Sequence, residues 1–170
     1  MPYWIIVIKQ IIEGTRVGAW CKLPYPNHPK GCPNYGRQGC PPTVPSLSSV
    51  VDQSKAQYLV FSEYSLEHHV MLMREAHPKW SERQLKNVLY WQGSSRAQLR
   101  RRVTSAKVLL GTDIALFCPE AYGLNVYATC LKHGLKLEKI RRLKLCHHVA
   151  LIGFKKQFNE VLYDKILSSS

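Results

Sequence analysis

At 170 residues with 45% hydrophobic side chains, the chain is long enough for one buried core and too apolar for a disordered linker. Lysine and arginine number 24 against 11 acids, a net charge of +13, which excludes an acidic solvating segment and points towards anionic partners. The six cysteines and ten prolines are unevenly placed, and their positions carry more information than their number.

Residues 2–12 (PYWIIVIKQII) read as a mostly buried strand, because β-branched residues dominate and nothing interrupts the run. Gly14 and Gly18 lead into a loop over residues 20–45, WCKLPYPNHPKGCPNYGRQGCPPTVP, which holds Cys21, Cys32, Cys40 and seven of the ten prolines. Each proline removes a backbone donor and fixes φ, so this stretch is neither a helix nor a central strand. Ser46 marks the start of a short helix over PSLSSVVDQ, and residues 56–61 (AQYLVF) form a second buried strand. Residues 65–76 (SLEHHVMLMREA) predict a helix with Leu66, Val70 and Met73 inward, closed by His77-Pro78.

Ser81-Glu82-Arg83-Gln84 fits a capping box. The basic helix it opens is expected over residues 81–104, burying Leu85, Val88 or Leu89, Gln92, Leu99 and Val103. Residues 107–117 (KVLLGTDIALF) read as a strand with a bend or bulge at Gly111. Cys118-Pro119-Glu120 opens a helix that stops at Gly134. Residues 143–154 give a last strand, and residues 158–167 an amphipathic terminal helix. Strands and helices interleave, so the expected fold is a single α/β layered domain over residues 1–170, with a mixed sheet and flanking helices. The apolar run at residues 3–8 is too short to cross a bilayer and lacks a basic leader, so a cytoplasmic protein without membrane contact is expected.

An irregular stretch as long as residues 20–45 needs a source of order, and a metal held by thiolates supplies one. In a reducing compartment thiols serve metals or catalysis more often than disulfides. Cys32, Cys40 and Cys118 are each followed by proline, a pairing that recurs at iron–sulfur ligands. The wide spacing of Cys21, Cys32 and Cys40 lacks the close cysteine pair of a structural zinc site and suits a bulkier cofactor. Cys118, at an expected helix N-terminus where a thiolate is favoured, is the natural fourth ligand.

The candidate centre is therefore a 4Fe–4S cluster on Cys21, Cys32, Cys40 and Cys118, with zinc or no metal as the other readings. Were Cys118 instead in the core, three cysteines would leave one iron open for Lewis-acid chemistry. Cys130 and Cys146 read as small core hydrophobes. His28 is either an alternative ligand or an exposed loop residue. The pairs His68-His69 and His147-His148 point apart and do not chelate one ion readily. Among the acids, Asp113, just upstream of Cys118, is the one to watch. No Ser/His/Asp order and no phosphate-binding glycine motif is present, so no catalytic residue is assigned.

The basic residues run from Arg83 and Lys86 through Arg96, Arg100 and Arg101, with a second group that includes Arg141 and Arg142. On one face they would hold a polyanion, and nearby aromatics such as Trp80, Tyr90 and Trp91 suit single-stranded RNA or DNA. The competing readings are a plainly solvated basic surface, tryptophans that anchor a helix to the core, or a positive face that docks an acidic redox partner.

The blocks CPNYG…CPP, followed by the short PSL helix, and EAYGLNVYATCLKHGL resemble a family of predicted metal-binding proteins of unknown function. They cover about a third of the chain. The resemblance implies that Cys32 and Cys40 are ligands of an iron–sulfur cluster. Members of that family often carry a further cysteine-rich segment before the second block; here only Cys118 stands there, so the resemblance implies one cluster. It implies no reaction.

Overall fold

The computed structural model describes residues 1–14, 17–24, 28–139, 142 and 144–157. Four strands make one sheet: β1 (Ile5–Ile8), β2 (Gln57–Ser65), β3 (Ile114–Leu116) and β4 (Leu145–Gly153), in the order β1-β2-β4-β3. All three pairings are antiparallel, with Ile5 opposite Val60, Phe61 opposite Val149 and Leu116 opposite Leu151. The α/β class stands, while the sheet expected to be mixed is antiparallel throughout its described strands.

β2 and β4 are the paired centre, and their side chains alternate between two apolar layers. On one face Leu59, Phe61, Val149 and Leu151 meet Leu47 and Val51 beside α2 (Leu47–Val50), and Val126 and Cys130 of α6 (Val126–Lys132). On the other, Val60, Ala150 and Ile152 meet Leu99, Val103 and Ala106 of α5 (Gln92–Leu110). A third cluster closes one end, where Leu66 and Val70 of α3 (Leu66–Ala76) join Leu85, Trp91 and Cys146.

Several expected elements change their bounds. The first strand keeps only its centre, because residues 2–4 and 9–12 lack a continuous partner. The helix expected over residues 81–104 is broken. The capping box at Ser81 forms, but α4 (Glu82–Leu85) ends at once, a 3₁₀ turn follows over Val88–Tyr90, and α5 begins at Gln92. Trp91 explains the break: only 4% exposed, it stacks on Tyr64 at 5.3 Å, and its indole N–H donates to the Lys86 carbonyl at 3.3 Å. That carbonyl is the one a continuing helix would have offered to Tyr90. Val88 and Leu89 consequently stay exposed.

α5 also runs further than expected, absorbing residues 107–110 from the third strand. Gly111, at φ +63°, is its left-handed end rather than a strand bulge, and Lys107 Nζ holds the exit by donating to the Asp113 carbonyl at 2.8 Å. The apolar run VLL does not mark a strand here: Ala106 and Leu110 anchor that turn to the sheet, while Val108 and Leu109 face solvent. The terminal helix expected at residues 158–167 lies outside the described residues. Among those described, no helix is long and apolar enough to cross a membrane.

Candidate functional site

The loop at residues 20–45 carries much of its order in its own backbone. Successive turns are closed by the N–H groups of Gly31, Tyr35, Arg37, Cys40 and Thr43, which donate to the carbonyls three residues earlier. Gly36 N–H then donates to the Pro41 carbonyl at 2.8 Å, and the Thr43 hydroxyl donates to the Cys40 carbonyl at 2.7 Å. The order expected to need a metal is therefore supplied in large part by these backbone turns.

Four cysteine-bearing segments gather around one short helix. α1 (Val17–Trp20) ends immediately before Cys21. It packs against the 3₁₀ turn Pro119–Tyr122, which begins one residue after Cys118. A Cβ on Gly18 would lie 3.5 Å from Pro41, the residue after Cys40. Cys32 N–H donates to the Cys21 carbonyl at 2.7 Å. All six cysteines are free thiols.

The thiols also sense one another. Burial pushes the Cys21 thiol above its ordinary value, and the neighbouring Cys32, Cys40 and Glu120 push the same way. Burial likewise raises Cys118, with Glu120 and Cys40 adding and the Arg96 guanidinium opposing. The expected lowering of Cys118 by a helix N-terminus does not occur. The element it opens is a four-residue 3₁₀ turn ended by Gly123 at φ +97°, and α6 starts separately at Val126. So short a turn sums too few peptide dipoles to offset the loss of hydration. Among the described residues, no three His, Cys, Asp or Glu side chains converge in a geometry that would hold a metal ion. Cys130 and Cys146 are buried as expected, and burial pushes the Cys130 thiol up to about 12.

The basic residues do not form one stripe. Arg83 sits on α4 and Lys86 caps its end, where it pairs with Glu82 at 3.2 Å. Arg96, Arg100 and Arg101 are exposed on α5. Arg102 is held down: it donates to the Phe61 carbonyl at 2.8 Å and its guanidinium lies over Tyr3 and Trp4. Arg142 is exposed, and Arg141 lies outside the described residues. Trp91 is a core anchor, whereas Trp80 stacks between His77 and the exposed Tyr90. Asp113 is structural, its carboxylate accepting from the Lys155 N–H at 2.7 Å.

A cavity of about 610 Å³ opens beside Cys118. β3 pairs with only the last part of β4, so beyond Leu116 the chain swings away and leaves the β4 edge as a floor. Arg96, Leu99 and Arg100 of α5 form one wall; Phe117, Cys118, Glu120, Val126 and Tyr127 form another. His147 and His148 both reach it, although they leave opposite faces of the strand. His148 Nδ1 lies 2.8 Å from the buried Ser95 hydroxyl, while His147 Nε2 lies 3.5 Å from a Glu63 carboxylate oxygen. Burial, and then Arg96, lowers the His148 pKa; burial raises Glu120. Sequence reasoning set both histidines aside. The available signal was three polar-capable residues, Cys146-His147-His148, at the head of an otherwise apolar strand.

The chain matches no protein-family model, no curated protein and no solved structure.

Proposed function

We propose that this chain is a cytoplasmic iron–sulfur protein in which Cys21, Cys32, Cys40 and Cys118 hold a 4Fe–4S cluster beside a basic face that meets RNA or DNA. The observation that carries the reading is that the loop bearing Cys21, Cys32 and Cys40 and the distant turn after Cys118 come together at α1. A thiol donor set is soft and suits iron–sulfur chemistry or zinc better than hard cations. Burial first, and neighbouring thiols after it, hold Cys21 and Cys118 in the protonated form, and a cationic core bound to the sulfurs would offset both costs. The wide ligand spacing favours a cluster over a single ion. Arg96, Arg100 and Arg101, exposed on one helix, are the phosphate-contacting candidates.

Anaerobic purification with iron, sulfide and zinc analysis and a visible spectrum tests the cofactor. The expected result is a brown protein with about four irons, as a cluster of this type requires. Cys32→Ala should lose the iron and Cys146→Ala should keep it. A colourless protein holding zinc, or equal iron in both variants, overturns the assignment. Binding to single-stranded nucleic acid should weaken steeply with added salt and weaken further in Arg101→Glu. No binding at low salt, with capture of an acidic protein instead, would favour the electron-transfer reading.

A further inference from the structure

At the corner between α3, α4 and the 3₁₀ turn, three rings form a column that the cysteine site does not use. His77 and Trp80 lie parallel, with centroids 3.9 Å apart and planes within 8°, and Tyr90 stacks on Trp80 at 5.3 Å and 29°. Turns fix both arms. As α3 ends, the His77 N–H donates to the Met73 carbonyl at 2.8 Å, and the Trp80 N–H donates to the His77 carbonyl at 3.0 Å. On the other arm the Tyr90 N–H donates to the Asn87 carbonyl at 3.2 Å, and the Asn87 side chain accepts from the Leu89 N–H at 3.1 Å. Trp80 also packs against the cluster of Leu66, Val70, Leu85 and Trp91, so the column is rooted in the core.

The outer end of the column is open. Tyr90 is 53% exposed, and among the described residues no ring but Trp80, and no cation, lies over it. That exposure follows from the burial of Trp91, which breaks the helix and leaves Val88–Tyr90 as an exposed turn. A tyrosine so placed offers solvent a flat aromatic surface whose orientation is already set, which lowers the entropic cost of stacking a ligand on it. The surrounding charge is positive. Residues 74–86 hold four cations, Arg74, Lys79, Arg83 and Lys86, against the carboxylates of Glu75 and Glu82. Glu82 is shared by Arg74 and Lys86, whereas Lys79 and Arg83 are exposed and have no ion pair among the described residues.

We infer that this column is a base-stacking platform: an unpaired base of a single-stranded nucleic acid lies on Tyr90, and its flanking phosphates meet Lys79 and Arg83. Such a platform presupposes the nucleic-acid reading proposed above and is independent of what the cysteines hold. A duplex keeps its bases stacked on one another and presents no base face to Tyr90. An acidic polypeptide satisfies the cations without using the preformed stack.

Fluorescence anisotropy on the full chain, as purified and at low salt, tests it with labelled single-stranded oligodeoxyadenylate, an abasic strand of the same length, a duplex and poly-glutamate. Oligodeoxyadenylate is expected to bind about tenfold tighter than the abasic strand, the effect of stacking one base. Tyr90→Leu, apolar but without a ring, should remove that preference while leaving the abasic strand and the duplex unaffected; Tyr90→Phe should keep it. Arg83→Gln should weaken both single strands by the same factor, as a phosphate contact does. Retained affinity for the abasic strand shows that each Tyr90 variant is folded. If neither strand nor duplex binds, both the platform and the nucleic-acid reading fall. If they bind and Tyr90→Leu keeps the preference for adenylate, the platform alone is overturned. Binding of poly-glutamate as tight as that of oligodeoxyadenylate, and as dependent on Tyr90, overturns it in favour of an acidic protein partner.

Discussion

A methyl group on Gly31 would fall 2.4 Å from the Cys21 carbonyl oxygen, and the residue's φ of +86° already disfavours any side chain. This glycine permits the close approach at which Cys32 N–H reaches Cys21. Gly36 has a similar φ, +83°, but open space around it. Gly31→Ala should therefore destabilise the fold by about 2–3 kcal/mol, combining strain with a backbone clash, and Gly36→Ala by about 1 kcal/mol. Urea unfolding midpoints measure both; equal losses would show that the approach to Cys21 does not matter. Neither effect is visible in GCPNYG, whose letters do not separate the crowding at Gly31 from the open space at Gly36.

At the scale of elements, the informative failures are the two broken helices. Residues 118–134 suggest one helix because Pro119 and Gly134 sit where a helix starts and stops. Gly123 divides it, and Asn125 restarts it: the Asn125 side chain accepts from the Ala128 N–H at 3.0 Å while its own N–H donates to the Ile12 carbonyl at 2.8 Å. That tie fixes α6 to the segment leading into the cysteine loop. Asn125→Ala should cost about 1 kcal/mol in chemical denaturation, with Asn125→Asp recovering most of it. An unchanged midpoint in Asn125→Ala would mean that packing of Val126 and Cys130 alone sets the helix. In the basic region, by contrast, a buried indole overrides a good capping box, which no local propensity encodes.

For the molecule as a whole, pH reports how its two layers are closed over the sheet. His69 and His148 have pKa values lowered by burial, the latter also by Arg96. The unfolded chain takes up protons on these rings near pH ~6.5, whereas the folded chain resists doing so. Stability is therefore full above about pH 6.5 and falls as the pH drops from there towards the folded values. Glu120 acts in the opposite sense, its raised carboxyl favouring the folded state at lower pH. Comparing the native chain with His148→Gln isolates the histidine contribution: the variant's unfolding midpoint should vary less between about pH 8 and 5.5. Identical slopes would show that His148 is freely protonated in place.

The sequence by itself determined the α/β class, the capping box at Ser81, the helix after Ser65 and the core placement of Cys130 and Cys146. Each follows from local turn chemistry or from a run of apolar residues that only burial explains. Tertiary structure decided the rest, because the deciding contacts join residues far apart in the chain. Trp91 breaks a helix by stacking on Tyr64, α1 draws Cys118 towards the loop, and the early departure of β3 turns an apparently ordinary strand into the floor of a cavity. Periodicity records which side of an element is apolar; it does not record what that side will meet.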